Sequence, residues 1–260
     1  MAPPTDLDVS TSGALDDHAL AAHVAEAAGK LLLALRAEAT GGDLDAQQLR
    51  KEGDHQANQL ILEHLARARP GDPVLSEESA DDDRRLGASR VWIVDPLDGT
   101  REFAEEGRTD WAVHVALVIR GTELVGAVAL PAEGVVLSTR PAPAVPPPRP
   151  GRLRVVTSRT RMPAAASAVA EVLDAELVPL GSAGAKTMAV VRGHVDAYAH
   201  AGGMYQWDSA APVAVAIAAG LHVSRIDGSP MVYNGPEVWL PDVLVCRPEL
   251  AATCLDALAE

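Results

Sequence analysis

The run Trp92-Ile93-Val94-Asp95-Pro96-Leu97-Asp98-Gly99-Thr100 holds the densest chemistry in the chain. An apolar, strand-like segment ends in two carboxylates spaced Asp-x-x-Asp, and a glycine and a hydroxyl follow at once. Hard divalent cations are bound by carboxylate oxygens grouped in this way. Gly99 and Thr100 are predicted at a helix N-terminus, where unbonded backbone N–H groups attract phosphate. Cation and phosphoryl group would meet in one turn, as metal-assisted hydrolysis of a phosphate ester requires. The plainer alternative is a turn with an Asx cap, but Pro96 and Gly99 specify the backbone more narrowly than such a turn needs.

Three further places set acids beside apolar elements. Asp54, in Lys51-Glu52-Gly53-Asp54, stands at a predicted helix start and is an N-cap or a ligand. Glu77-Glu78 follows Val74-Leu75-Ser76, a short strand, and reads as a solvated turn or as ligands. Asp208, in Gln206-Trp207-Asp208-Ser209-Ala210-Ala211-Pro212, opens an almost wholly apolar helix, again as cap or ligand.

These groups must be carried by rigid elements. Residues 15–37 read as one long helix and 54–67 as a second. Val91–Val94 is a short buried strand, and 111–119, 124–130 and 134–139 form an antiparallel meander. The proline-rich stretch 141–150 is neither a central strand nor a helix interior, and reads as an exposed connector between two halves. It could also dock a partner as a PxxP segment. Beyond it, strands at 153–156, 176–179, 195–198, 221–225 and 243–246 alternate with helices at 164–173, 183–191, 208–219 and 248–258, which predicts layered α/β architecture. The expected division is an N-terminal α+β subdomain, 1–145, with the acidic motifs, and a C-terminal α/β subdomain, 146–260.

With 260 residues and 48% apolar content, the chain can bury a sizeable core. Phe103 is the one phenylalanine, so that core is built mostly from Ala, Val and Leu. The formal charge of −14 argues against a general nucleic-acid binder. No apolar run appears long enough to span a bilayer, and the acidic N-terminus lacks a signal-peptide pattern, so a cytoplasmic protein without a membrane role is expected. Cys246 and Cys254 match no zinc or redox spacing and read as reduced structural thiols. A serine hydrolase is excluded for want of a Gly-x-Ser-x-Gly elbow.

Taken together, Asp…Glu-Glu…Asp-Pro-x-Asp-Gly-Thr…Trp-Asp resembles the signature of the inositol monophosphatase superfamily, the lithium-sensitive, magnesium-dependent phosphatases. The resemblance implies a layered αβαβα sandwich, a homodimer, and two or three Mg2+ ions, with Mn2+ able to substitute. It implies that Glu77, Asp95 and the Leu97 carbonyl hold one ion, that Asp95, Asp98 and Asp208 hold a second, and that Asp54 and Glu77 reach a third. Asp54, Glu77 and Thr100 would be catalytic, with Thr100 and Asp54 orienting and deprotonating the attacking water. The Gly99 and Thr100 amides would hold the phosphate.

Arg101-Glu102-Phe103 after Gly99-Thr100 resembles the bisphosphonucleotide branch, and a cation there suits a substrate with a second phosphate. Arg101 could equally serve a surface salt bridge. Gly181-Ser182-Ala183-Gly184-Ala185-Lys186 resembles the substrate loop of that branch, or is a bare helix start. Asp98, Gly99, Thr100, Arg101, Ser182, Gly184, Lys186, His200 and Asp208 are therefore candidate substrate contacts. His200 stands where inositol phosphatases carry Glu and the nucleotide branch often carries Arg, and could be a packed histidine. The expected substrate is a small phosphorylated nucleotide, 3′-phosphoadenosine 5′-phosphate, with release of its 3′-phosphate. The rival readings are an inositol monophosphatase, a sugar phosphatase acting on fructose 1,6-bisphosphate, or an inert protein that kept the fold.

Overall fold

The computed structural model describes residues 15–40, 45–160 and 162–259. The acidic N-terminal stretch read above lies outside them. Ten strands among the described residues form two five-stranded sheets. The first has the order β1 (Val74–Ser76), β2 (Arg90–Asp98), β3 (Ala112–Ile119), β4 (Glu123–Leu130), β5 (Val135–Ser138). β1 lies parallel to β2, and the remaining neighbours are antiparallel. The expected meander is present, with β2 leading into it. The second sheet has the order β7-β6-β8-β10-β9, built from β6 (Arg154–Ser158), β7 (Glu176–Leu180), β8 (Ala197–Tyr205), β9 (His222–Ser224) and β10 (Trp239–Cys246). β6 runs parallel to both β7 and β8, whereas β10 is antiparallel to β8 and β9. The α-helices are α1 (Asp17–Thr40), α2 (Ala46–Ala68), α3 (Thr100–Ala104), α4 (Ala164–Val172), α5 (Ala183–Val191), α6 (Gln206–Ala218) and α7 (Ala251–Leu258).

Alternation along the strands sorts the apolar residues into three cores. On β2, Trp92 and Val94 face α1 and α2, where Leu20, Val24, Leu32, Ile61 and Leu65 are also buried. Val91 and Ile93 face the other way, into a core shared with α5, α6 and the second sheet. On β10, Val243 and Val245 close that central core, while Leu244 and Cys246 face α4 and α7. The layers are thus α1/α2, first sheet, α5/α6, second sheet, α4/α7: the expected αβαβα sandwich. The scarcity of aromatics shows in the spacing. A Cβ added at Gly126 of β4 would lie 3.1 Å from Ala214 Cβ and 3.2 Å from Ala211 Cα, so α6 rests almost on the sheet backbone.

Several elements differ from the sequence expectation. α2 does not begin at Asp54 but at Ala46. It is capped by Asp45, whose carboxylate accepts from the Gln47 and Gln48 amides, while Gln48 returns a bond to the Asp45 amide. Gly53 lies inside α2, where the packing leaves no room for a side chain: a Cβ there would lie 2.8 Å from Phe103 Cε1 and 3.0 Å from Leu97 Cδ2. β2 continues past Pro96 to Asp98. The register slips between Asp95 and Asp98, so Pro96 escapes the ladder in a bulge. β8 runs nine residues rather than four, and includes Gly202 and Gly203, both at positive φ. α6 starts at Gln206, two residues before Asp208. The C-terminal helix begins with a 3₁₀ turn, Pro248–Leu250, before α7.

α1 also corrects a reading of composition. Its segment Asp17–Ala39 has mean hydropathy 1.2, long and apolar enough by those measures to cross a bilayer. Its apolar face, with Leu20, Ala21, Val24, Ala25, Ala28 and Leu32, packs in the core against the first sheet. Residues 141–150 carry no regular structure and link the two sheets, as expected of the connector.

Candidate metal and phosphate site

The bulge at the end of β2 builds the centre of the site. Asp95 is wholly buried and faces the α5/α6 layer, like Val91 and Ile93 before it. Its Oδ1 accepts from the Leu97 amide at 3.0 Å, so the side chain closes its own turn. Gly99 then adopts a left-handed conformation, φ 85°, which lets α3 start at Thr100 without a clash. Thr100 Oγ1 donates to the Leu97 carbonyl at 3.2 Å. Carboxylates, carbonyl and hydroxyl of the signature are thereby gathered in one turn.

The other acids approach from separate elements. Glu77 follows β1, the parallel neighbour of β2, and Asp95 acts on its charge. Asp54 projects from mid-helix in α2, so the N-cap alternative does not hold for it. Asp208 lies in the first turn of α6, and its Oδ2 accepts from the Tyr205 amide at 2.7 Å. It too is not the N-cap, which is Tyr205.

These acids act on one another's charge. Burial pushes Asp95 well above the usual carboxylate range, and Glu77, Asp98 and Asp208 push it further. Glu77 keeps some exposed surface, yet partial burial followed by Asp208, Asp98 and Asp54 raises it to about 7. Burial and Glu78 raise Asp54 to about 7 against the pull of Arg50. Burial and Asp98 raise Asp208 to about 6. Asp98 goes the other way: burial raises it, but His114, the Gly184 amide and Lys186 together outweigh that. Acids that so disfavour one another's charge are a sink for divalent cations, which reverse the local sign. One oxygen each of Asp95 and Asp98 and one ring nitrogen of His114 lie within 4.8 Å of one another, close enough to share one ion. The oxygen-rich donor set suits a hard cation.

The candidate substrate residues distribute over two cavities. Asp54, Gly99, Thr100 and Arg101 line the larger, of about 800 Å3, together with Arg50, Lys51 and Arg159. Asp98, Lys186, His200 and Asp208 line a second, of about 520 Å3, with Tyr198, Met162 and the Gly202-Gly203 backbone. Arg101 and His200 therefore do not meet in one cavity. Ser182 caps α5, its Oγ accepting from the Ala185 amide at 2.8 Å. Gly184 donates its amide to Asp98 Oδ2 at 2.7 Å. Lys186 is buried, donates to the Gly181 carbonyl at 2.6 Å and lies 5.5 Å from the centre of the Tyr198 ring. His200 pairs its Nε2 with the Gly203 carbonyl at 2.9 Å.

Sequence reasoning missed two groups. Asp110 holds the 181–184 loop: its carboxylate accepts from the Gly181 amide at 2.6 Å and its carbonyl from the Ser182 amide at 3.2 Å. His114, on β3 directly opposite Asp95, stands within the acidic cluster. A lone acid and a lone histidine on a buried strand carry no motif; only the alternation of β3 against β2 could have singled out His114.

Known proteins share this sequence and fold. The inositol monophosphatase family model matches residues 16–143 and 149–258. A Mycobacterium tuberculosis protein named 3′-phosphoadenosine 5′-phosphate phosphatase is 53% identical over 241 residues, covering 90% of each chain. The Escherichia coli 3′(2′),5′-bisphosphate nucleotidase CysQ is 33% identical over 201 residues, 72% of this chain and 80% of that one. Among solved structures, CysQ from Bacteroides thetaiotaomicron superimposes with a TM-score of 0.73 at 25% identity, covering 88% of this chain and 96% of that one. Fold, acidic turn and sequence thus converge: the chain belongs to the inositol monophosphatase family.

Proposed function

We propose that this protein is a magnesium-dependent phosphatase that removes the 3′-phosphate of 3′-phosphoadenosine 5′-phosphate, giving AMP and phosphate. The observation that carries the reading is the acidic turn beside Gly99–Thr100, where Asp95, Asp98 and His114 come within 4.8 Å of one another and Glu77 and Asp208 act on the Asp95 charge; Asp54 in turn acts on Glu77. The nucleotide substrate is supported by the mycobacterial relatives and by CysQ.

Glu77, Asp95 and the Leu97 carbonyl would hold one ion, Asp95, Asp98 and Asp208 a second, and Asp54 with Glu77 a third, Mn2+ substituting for Mg2+. Bound divalent cations supply Lewis-acid stabilisation of the phosphoryl oxygens and lower the pKa of water. The chain's own residues do the rest. The Gly99 and Thr100 amides hold the phosphoryl group. The Thr100 hydroxyl and Asp54 orient the attacking water, and Asp54 takes its proton. In-line displacement places the leaving 3′-oxygen of AMP opposite that water, toward Asp208 and the cavity lined by Lys186 and His200, where it takes up a proton from solvent. No serine or cysteine nucleophile is needed. A homodimer with the site at the junction of two subdomains completes the proposal.

The test is phosphate release from 3′-phosphoadenosine 5′-phosphate, inositol 1-phosphate and fructose 1,6-bisphosphate, with Mg2+ and with added Li+. Preference for the nucleotide and inhibition by Li+ are expected. Preference for either sugar ester would overturn the substrate assignment and leave the family membership intact.

A further inference from the structure

His114 belongs to none of the ligand sets that the resemblance implies, although a ring nitrogen lies within 4.8 Å of Asp95 and Asp98 oxygens, and its ring stands between the elements that carry those sets. The side chain is wholly buried, on the face of β3 that meets α5 and α6. Its Nδ1 lies 3.0 Å from the Trp207 carbonyl, in the first turn of α6 beside Asp208. A carbonyl only accepts, so Nδ1 carries a proton. Nε2 lies 3.3 Å from Asp98 Oδ2, a close approach that falls outside hydrogen-bond geometry, and has no hydrogen-bond partner among the described residues. The same Asp98 oxygen accepts from the Gly184 amide at 2.7 Å. Gly184 in turn yields its space to the ring: a Cβ there would lie 2.1 Å from His114 Nε2. One rigid imidazole therefore spaces three elements, the end of β2, the start of α5 and the first turn of α6.

We propose that His114 is a positioning residue that fixes the separation of the Asp98 and Asp208 carboxylates and holds Asp98 Oδ2 against α5, leaving Oδ1 for a divalent cation. The inference rests on the metal-ligand reading under Proposed function. Histidine suits the task because a planar ring with two opposed nitrogens spans a fixed distance, and outer groups that orient ligands set metal affinity as the ligands do.

The experiment titrates Mn2+ into the metal-stripped full chain, following free Mn2+ by electron paramagnetic resonance and heat by calorimetry. Wild type, His114→Asn, His114→Gln, Gly184→Ala and the His114→Asn/Gly184→Ala pair are compared, with metal-free thermal unfolding measured on each. His114→Asn is expected to weaken Mn2+ binding about 10- to 100-fold while the metal-free melting temperature stays close to wild type. Gly184→Ala should act in the same direction. The double variant should lose less than the sum, because the shorter asparagine vacates the space that the new methyl needs. A folded His114→Asn with wild-type Mn2+ affinity overturns the proposal. So does loss of metal-free stability in both histidine variants, which would make the ring a packing residue only. Wild type that binds no Mn2+ would instead overturn the metal reading, and this inference with it.

Discussion

Two buried acids of this molecule live under opposite rules. Asp242, on β10, receives both arms of Arg225 at 2.6 and 2.8 Å and the Ile226 amide at 2.9 Å. Burial raises its pKa, but Arg225 and that amide outweigh burial, and the net shift is downward. Asp95, equally buried, has no lysine or arginine within ion-pair distance among the described residues, and its neighbours are Glu77, Asp98 and Asp208. The first acid brings its counter-charge in the chain. The second leaves it to come from solution. Unpaired buried charge is costly, and a protein bears that cost where a ligand will offset it.

The comparison can be broken most directly by swapping amide for acid at each end. Asp98→Asn should cut phosphate release by about two orders of magnitude or more, with an unchanged circular dichroism spectrum, since it removes a ligand at constant volume. Asp242→Asn should do the reverse: a stability loss of about 2 kcal/mol by denaturant titration, from breaking a buried charged hydrogen bond, with near wild-type turnover. If both variants lost activity alone, or stability alone, the distinction would be wrong.

Titration sharpens it. Asp54 and Glu77 at about 7 and Asp208 at about 6 bind protons more tightly folded than unfolded. In metal-free protein their contribution to stability is fully present below about pH 4 and is lost as pH rises through 6 to 7. Saturating Mg2+ should restore it, so the rise in melting temperature on adding Mg2+ should be larger at pH 7.5 than at pH 5.5. Equal rises at both values would show that these carboxylates do not meet the ion.

Smaller effects probe the supports. Gly53→Ala pushes a methyl toward Phe103 and Leu97 and should cost about 1–3 kcal/mol by overpacking. A larger fall in turnover than in stability would show that α2 also sets the reach of Asp54. At the far end, Lys30→Gln removes an exposed pair with Glu26 and should change unfolding free energy by a few tenths of a kcal/mol at most. Surface charge, in a chain whose formal net charge is −14, is not what the site depends on.

Much of the site was legible before the fold. Asp-Pro-Leu-Asp-Gly-Thr specifies its own turn, through the Asp95–Leu97 bond and the left-handed Gly99, so local chemistry alone announced it. The limits of α5 were equally legible, because Ser182 is a strong cap and the residues after it are helix formers. What escaped was set by contact. The second helix reads as starting at Asp54, whereas it starts at Ala46 and carries Gly53 inside it, close against Phe103. Pro96 reads as the end of a strand, and only the bulge against β3 shows how β2 passes it.

The sequence by itself determined the turn, the start of α5, the alternation of the strands and the kind of chemistry on offer, because each depends on residues within a few positions of one another. Tertiary structure alone decided which acids share a cluster, that Arg101 and His200 face different cavities, and that His114 stands beside Asp98. Those relations join residues far apart in the chain. Their distances follow from how sheets and helices stack, and no spacing along the backbone encodes them.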